Sequence, residues 1–138
     1  GDWIDVALAK EAAIAQSDAG VDFWIECGEG PALGTIAAAE ETGGWVTGYV
    51  GDMTENGPEV VLLNLTWNMI PLFEQMLADT LAGTFDSPWY EYGIAQDAML
   101  VTYNEDLKGQ IPAEAIEAAE KAMSDIKSGA FTVEFVPE

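Results

Sequence analysis

Gly48-Tyr49-Val50-Gly51-Asp52-Met53, followed by the run EVVLLNLTWN at 59–68, is the stretch that decides the fold. The pattern predicts a buried strand that leads into a glycine-containing loop, and then a second apolar strand that ends in a Trp-Asn pair. In an open α/β sheet, ligands bind at the loops that follow the carboxyl ends of the strands. The stretch therefore predicts a binding module rather than an enzyme.

Around this stretch, predicted helices and strands alternate. Apolar periodicity, glycines and prolines indicate helices at 3–19, 32–41, 71–82 and 112–128, and strands at 21–27, 45–50 and 60–66. Residues 87–103 are expected to form two extended pieces around Gly93, and 130–136 a short last strand. Such alternation is typical of an α/β fold with a mostly parallel sheet and helices on both faces. We expect one such lobe over residues 1–138.

The inward faces of the helices follow from the same spacing of apolar residues. The first helix should point its alanines and aliphatic residues at every third or fourth position toward the core, and the third and fourth helices should do likewise. The predicted inward residues are Ile4, Leu8, Ala12 and Ala15; Leu72, Phe73, Met76, Leu77 and Thr80; and Ala115, Ala119, Met123 and Ile126.

Charge excludes several classes of partner. The 138 residues include 25 Asp and Glu against four Lys, with no Arg or His, for a formal net charge of -21. Such a surface repels nucleic acid and anionic membranes, so we expect no nucleic-acid partner. The acidic residues are spread along the whole chain, which favours adaptation to high salt. The alternative is an acidic face that binds cations or a basic partner.

Catalytic and metal sites find little support in the sequence. Cys27 is the single cysteine, so an internal disulfide framework is excluded, and its apolar surroundings predict a small buried residue. Without histidine, the usual base for a nucleophile is missing. An acid/base pair such as Glu26 with Glu29 has nothing to distinguish it among so many acids, and Asp52 with Glu55 matches no calcium loop. We expect no catalytic residues, no metal and no cofactor.

The amino terminus suggests a portion of a longer protein. The chain opens on Gly-Asp-Trp, without a basic leader or a lipid-attachment motif. No stretch approaches the ~20 apolar residues of a membrane-spanning helix. The expectation is therefore a fragment or a truncated product that carries neither signal nor anchor.

An ordered series of segments carries a resemblance to a known family. The series comprises GDWID at 1–5, AKEAAIAQSDAGVD at 9–22, GEGPALG at 28–34, GYVGDM at 48–53, VLLNLTWN at 61–68 and IPAEAIEAAEKAMSDIKSG at 111–129. Together they resemble the carboxy-terminal portion of the BMP/PnrA-like family. Members of that family are substrate-binding lipoproteins of ABC transporters with the type I periplasmic binding protein fold.

The resemblance implies a partial receptor. In the family, two α/β lobes close on a ligand across a hinge, so this chain would be the second lobe, with hinge or crossover segments near 59–70 and 87–104. It would capture a small organic ligand, with purine nucleosides among the expected ligands, and deliver it to ABC permease subunits outside the cytoplasm. The full-length receptor would be membrane-associated.

A missing first lobe or a second copy of the chain would be a further partner of such a lobe. The alternative is a self-associating scaffold without a small ligand, since strand 60–66 and helix 71–82 would expose apolar faces without a first lobe.

The resemblance also implies ligand-binding residues. Trp3 and Asp5 match an aromatic-x-Asp position, although Asp2 and Trp3 could instead form a helix entry with Asp2 as N-cap. Gly28, Glu29 and Gly30 match the family's glycine loop after a strand, although a tight turn needs the same residues, and the loop is a poor match to a dinucleotide-binding loop. Trp67 could also pack within a hinge. The predicted ligand-binding residues are Trp3, Asp5, Gly28, Glu29, Gly30, Asp52, Met53, Trp67 and Asn68.

Two departures from the family pattern bear on the ligand. Nucleoside-binding members carry an aspartate where this chain has Val50 and a lysine where it has Trp67. With Trp3, Trp67 and Met53, the resemblance implies an apolar and aromatic cleft with few polar groups, as is common at small-molecule sites.

Overall fold

The computed structural model describes residues 3–86 and 89–134. Within them, the chain forms a four-stranded sheet and the helices α1 (Val6–Asp18), α2 (Glu29–Thr42), α3 (Ile70–Ala82) and α4 (Ala113–Ser128). Its strands are β1 (Phe23–Trp24), β2 (Trp45–Val50), β3 (Val61–Trp67) and β4 (Met99–Tyr103). Short 3-10 helices lie at Thr54–Asn56, Ile94–Gln96 and Lys108–Gln110. The predicted α/β fold is confirmed.

The sheet has the order β1-β2-β3-β4 and is mostly parallel. β1 pairs with β2, and β2 with β3, in parallel, with Val50 opposite Thr66 at the end of the pairing. The amide of Asn68 donates to the carbonyl of Ala98, and the amide of Asn104 donates to that of Leu62, so β4 runs antiparallel to β3. The carboxyl ends of β1, β2 and β3 therefore lie at one edge of the sheet.

The chain forms two compact units. Unit 1 comprises Gly1–Thr66 and Val101–Ile111, and unit 2 comprises Trp67–Leu100 and Pro112–Glu138. The backbone thus passes from one unit to the other three times. The single ligand-binding lobe with hinge segments near 59–70 and 87–104 stays a prediction.

The core of unit 1 is built on close packing of α1 against α2. Gly34 of α2 makes this approach possible, because a Cβ there would lie 2.8 Å from Ala9 Cβ and from the Lys10 amide nitrogen. Ala13 of α1 is buried, with Ile14 packed against the core. The predicted inward face of α1 is therefore wrong: Ala13 and Ile14, and not the predicted residues, pack in the core. Ile4, Leu8, Ala12 and Ala15 are all exposed.

Strand β1 is much shorter than predicted, and this corrects the placement of Cys27. The burial alternates along the chain, so that Trp24 and Glu26 point inward while Ile25 and Cys27 are exposed. Alternation with a period of two is the normal geometry of extended chain. The apolar character of the run suggested a buried thiol, but its register places the thiol outside.

Two further boundaries differ from the sequence prediction. Helix α2 begins at Glu29 with Gly28 as its N-cap, so Glu29 and Gly30 belong to a helical first turn rather than to a loop. Residues 130–134 form no strand, and the rest of the predicted strand at 130–136 lies outside the described residues. Alternating residues form a strand only when a partner strand is in reach, which the local pattern cannot show.

Helices α3 and α4 of unit 2 are more exposed than predicted. On α3, Leu72 and Met76 are half-buried, whereas Phe73, Leu77 and Thr80 are exposed. On α4, Met123 and Ile126 are half-buried as predicted, but Ala115 and Ala119 are exposed. The expected apolar exposure of strand 60–66 is wrong for its first half, since Val60, Val61 and Leu62 are buried.

Candidate functional site

The turn that follows β2 is the best-defined local feature at the carboxyl edge of the sheet. Val50, the last residue of β2, has a φ of 71°. Left-handed backbone is unfavourable for a β-branched residue, and such strain is retained only where the surroundings enforce it. The chain therefore stores strain shortly before Asp52 and Met53, two of the predicted ligand contacts.

The buried side chain of Asn64 in β3 holds this turn by hydrogen bonds. Its side chain is 1 % exposed, and its Oδ1 accepts a hydrogen bond from the Met53 amide at 2.9 Å. Its Nδ2 donates to Asp52 Oδ1 at 3.0 Å and to Thr54 Oγ1 at 3.1 Å. Gly48 of β2 provides the space, because a Cβ there would overlap the Asn64 carboxamide. One buried side chain thus contacts three successive residues of the turn.

Asp52 presents an ionised carboxylate at this turn. Hydrogen bonds from the hydroxyl and the backbone amide of Thr54 lower the pKa of Asp52 below its ordinary value; burial opposes them, and the bond from the Asn64 amide adds a smaller lowering effect. A carboxylate offers about four lone-pair sites to donors. Since Asp52 is exposed, its remaining acceptor capacity can meet a hydroxyl or amine of a ligand.

Glu26 is a second carboxyl group near the carboxyl end of β1, and it is buried. Its backbone amide donates to Thr47 Oγ1 at 2.9 Å. Burial raises the pKa of the Glu26 side chain, and a hydrogen bond with Thr35 opposes part of that effect. Because burial disfavours the charged form, ionised Glu26 weakens the folded state.

We predict that Glu26→Gln stabilises the chain at neutral pH. The folded-state pKa of Glu26 is raised, so the folded state binds the proton more tightly than the unfolded state, and stability is lost as the pH rises from the unfolded pKa through the folded one. Glutamine removes that loss. Urea unfolding at pH 7 should show a more stable variant, and the difference should vanish below about pH 4, near the unfolded pKa. A difference independent of pH would contradict this account.

The entry to α1, with Trp3 and Asp5, lies close to Gly30 of α2. Asp5 is the N-cap of α1, and its Oδ1 accepts from the Leu8 amide at 3.0 Å. A helix entry exists here, but its cap is Asp5 rather than Asp2, whose structure lies outside the described residues. A Cβ on Gly30 would lie 3.0 Å from the Trp3 carbonyl oxygen, so Gly30 admits the backbone of this entry. Trp3 is 74 % exposed.

The other predicted contacts divide between core and surface. Met53 is 7 % exposed and belongs to the core, so its side chain does not line an open cleft. Trp67 is 44 % exposed at the end of β3. Asn68 has structural bonds: its Nδ2 donates to the Asp97 carbonyl at 3.0 Å, and its Oδ1 accepts from the Ile70 amide at 3.3 Å. Trp67 and Asn68 belong to unit 2, and the other predicted site residues to unit 1.

Sequence reasoning missed Asn64 as a functional candidate. The available signal was a carboxamide in the middle of the apolar run EVVLLNLTWN. A buried polar side chain in a strand must find hydrogen-bond partners, and a glycine on the neighbouring strand leaves space for one. The pairing of Gly48 with Asn64 across β2 and β3 is non-local, so it became visible only with the register.

Each of the four lysines forms an ion pair with a carboxylate. Lys10 pairs with Glu41 at 2.7 Å, Lys108 with Glu105 at 3.7 Å, Lys121 with Asp125, and Lys127 with Asp97. These are the four lysines of the sequence, which has no arginine or histidine. The turn at 50–54 therefore has no lysine of its own to neutralise an anionic ligand.

Two pockets lie away from this turn. One, of about 330 Å³, is lined by Gly44, Trp45 and Glu59 at the amino ends of β2 and β3. The other, of about 570 Å³, lies within unit 2 beside Met99, Ile126 and Phe131. Within the described ranges 3–86 and 89–134, no three Asp, Glu or Cys side chains are grouped to hold a metal ion. No helix in that part of the chain has the length and apolar character needed to cross a bilayer.

Comparison with known proteins identifies the relatives of this chain. No protein-family model matches it. Over 124 residues, or 89 % of the chain, it is 24 % identical to a protein of Haloferax volcanii described as an ABC transporter glucose-binding protein, and it spans 31 % of that protein. An ABC transporter solute-binding protein from Aeropyrum pernix K1 superposes over 99 % of the chain with a TM-score of 0.80 and 14 % identity. The chain is therefore similar to solute-binding proteins of ABC transporters.

Other solved structures share the fold. A solute-binding protein from Conexibacter woesei DSM 14684 matches 97 % of the chain with a TM-score of 0.72 and 17 % identity. A transcriptional activator of the comK gene from Bacillus halodurans matches 97 % with a TM-score of 0.78 and 20 % identity. The chain spans 44 to 46 % of these three structures. It corresponds to about a third of the Haloferax relative and to less than half of each solved structure.

Proposed function

We propose that the chain is the ligand-binding portion of an ABC transporter solute-binding protein that captures a small organic solute for uptake. The observation that carries the proposal is the similarity of nearly the whole chain to solute-binding proteins, in sequence and in fold. The turn at 50–54 lies at the carboxyl edge of parallel strands, where open α/β folds bind ligands. Its role is binding rather than catalysis.

We propose a ligand that is neutral and rich in hydroxyl groups. Asp52 offers an ionised acceptor for hydroxyl or amine donors, and every lysine of the chain is paired elsewhere, so the negative charge of the chain disfavours an anionic solute. The name of the Haloferax relative points to glucose, and the BMP/PnrA-like resemblance points to nucleosides. Both are uncharged compounds with hydroxyl donors, and we propose this class for the chain.

The wider setting follows from the same proposal. The full-length protein would act outside the cytoplasm as a membrane-associated receptor, with ABC permease subunits and a first lobe as partners. Binding would proceed by closure of two lobes around the ligand, a population shift toward a closed state. Trp3, Trp67 and Asp52 are the proposed contacts. The other predicted residues would position these three contacts. Backbone placement and helix capping would be the role of Asp5, Gly28, Glu29, Gly30 and Asn68, and Met53 would act from the core.

A thermal-shift screen of neutral sugars and nucleosides in molar KCl tests the proposed function. A solute at 100 times its Kd stabilises the folded state by about 2.7 kcal/mol, which is readily seen as a higher Tm. D-Glucose and adenosine are the first probes, with glucose 6-phosphate and AMP as charged controls. Stabilisation by a neutral probe and not by its phosphorylated counterpart supports the proposal, and the reverse order would contradict it.

The dense negative charge is proposed to be an adaptation to high salt. With a formal net charge of -21, self-repulsion destabilises the compact state, and molar salt shortens the Debye length to about 3 Å. We predict that the midpoint of thermal unfolding rises steadily between 0.1 and 3 M KCl. A midpoint that falls or stays constant over this range would contradict halophilic adaptation.

Self-association remains a second candidate because of one surface. On α3, Ile70, Phe73, Leu77 and Leu81 follow helical spacing and are 64, 60, 59 and 80 % exposed. Exposed apolar stripes of this kind mark interaction sites. If a second copy covers the stripe, sedimentation equilibrium in molar KCl should show dimers that Phe73→Ser with Leu77→Ser abolishes. If the wild-type chain is a monomer in this experiment, self-association is rejected as a function.

A further inference from the structure

We infer that Asn64 is a positioning residue for the ligand: it holds the turn at 50–54 in its strained form, so that the Asp52 carboxylate faces a hydroxyl donor of the solute. This rests on the proposed function and adds a residue that neither the family resemblance nor the comparisons assign. Asn64 itself is 1 % exposed and would not touch the ligand.

The turn needs an external constraint, since its own sequence does not favour its shape. Val50 adopts a φ of 71° although valine is among the residues least suited to that region. The left-handed conformation falls on Val50, and the adjacent Gly51, which could adopt it freely, does not have a positive φ. A constraint must therefore come from outside the local sequence.

Asn64 supplies that constraint through three hydrogen bonds. They reach the Met53 amide, the Asp52 carboxylate and the Thr54 hydroxyl at 2.9 to 3.1 Å, and so they fix the part of the turn that directly follows Val50 and Gly51. A buried polar group that loses its partner is costly, because water cannot replace it. The turn cannot relax without leaving the Asn64 carboxamide unsatisfied.

The neighbouring strand is shaped for the same arrangement. Gly48 lies opposite Asn64 in the register of β2 and β3, and any larger residue would overlap the carboxamide. Glycine in a strand weakens it and marks a close approach of another group. Gly48, Asn64 and Val50 therefore act together on one turn.

For ligand recognition, the result is that the Asp52 carboxylate is held in one orientation as a hydrogen-bond acceptor. The described bonds from Asn64 Nδ2 and the Thr54 amide converge on Oδ1 of Asp52, and they orient the carboxylate while it stays exposed. A preorganised group loses less conformational entropy when it binds. Such an acceptor recognises hydroxyl and amine donors, and under the proposed function these are the hydroxyl groups of a neutral solute.

Asn64→Leu, compared with Asn104→Leu, tests the inference. Asn104 is a matched control because it is also buried in unit 1, and its Nδ2 donates to the carbonyls of Pro58 and Val61 at 3.1 and 2.9 Å, near the amino end of β3. Two properties are measured in both variants: hydrogen exchange of the Thr54 amide, which donates to Asp52 and not to Asn64, and affinity for D-glucose.

We expect Asn64→Leu to speed Thr54 exchange about ten-fold and to weaken solute binding by a similar factor, as loss of one or two hydrogen bonds would. Asn104→Leu should leave both unchanged. If Asn64→Leu does not fold, Asn64→Asp serves the same comparison with Asn104→Asp. Equal effects of the paired variants on Thr54 exchange would overturn the inference. A wild-type chain that binds no solute counts against the proposed function, while Thr54 exchange still decides whether Asn64 holds the turn.

Discussion

Replacing Trp24 with alanine should remove a large part of the stability of the chain. Trp24 is 7 % exposed in the core of unit 1, and its Nε1 donates to Gln16 Oε1 at 2.8 Å. Truncation of a buried tryptophan costs about 3–5 kcal/mol, through lost burial and the cavity left behind. Since domains have about 5–15 kcal/mol in total, urea unfolding of Trp24→Ala should show a much lower midpoint than that of the wild type.

Trp24→Phe is the matched variant for this experiment. Phenylalanine keeps most of the apolar volume and loses only the hydrogen bond to Gln16 and part of the ring. The loss of unfolding free energy should therefore be clearly smaller for Trp24→Phe than for Trp24→Ala. A Trp24→Ala chain within about 1 kcal/mol of wild type would contradict the burial of this side chain, because ordinary surface substitutions lie in that range.

Gly34→Ala should also destabilise the chain, against the intrinsic helix preference. In an exposed helix interior, alanine is more stable than glycine by about 1 kcal/mol. At Gly34, however, the added Cβ would lie 2.8 Å from both Ala9 Cβ and the Lys10 amide nitrogen, and it would overlap the Val6 carbonyl. Overpacking of this kind costs about 1–3 kcal/mol. Because the obstruction is mostly backbone of α1, we expect a net loss in urea unfolding.

Gly109→Ala is the control for this substitution. Gly109 also lies in unit 1, in the short 3-10 helix at Lys108–Gln110, and no atom lies within 4 Å of a Cβ built there. That variant should be close to wild type. If Gly34→Ala were as stable as Gly109→Ala, the close packing of α1 on α2 would be wrong.

The elements that the sequence predicted correctly are those with strong local signals. β2 was bounded correctly, and β3, α3 and α4 nearly so, because apolar runs, Pro71 and the glycines at 83 and 129 mark their ends. The helix faces were predicted less well. α1 is rich in alanine, so its apolar periodicity is weak, and its packing is decided by Gly34 of another helix.

The position of the turn after β2 was predicted from the sequence, but the contacts that hold the turn were not. The pattern of a strand followed by Gly51-Asp52 indicated the carboxyl edge of a sheet, and the structure places the turn there. The role of Asn64 depends on the register between β2 and β3, and the exposure of Cys27 depends on which face each residue of β1 occupies. Both are properties of tertiary contacts that a single sequence does not specify.

Calorimetric titration of D-glucose and adenosine into the chain and into Asp52→Asn, in molar KCl, tests the central claim most directly. We expect the wild type to bind at least one of these neutral solutes saturably. Asp52→Asn should weaken that binding about ten-fold or more, because hydrogen bonds to a charged acceptor are worth about 1.5–3 kcal/mol. Binding that is unchanged in Asp52→Asn, or no binding of either solute by the wild type, would contradict it.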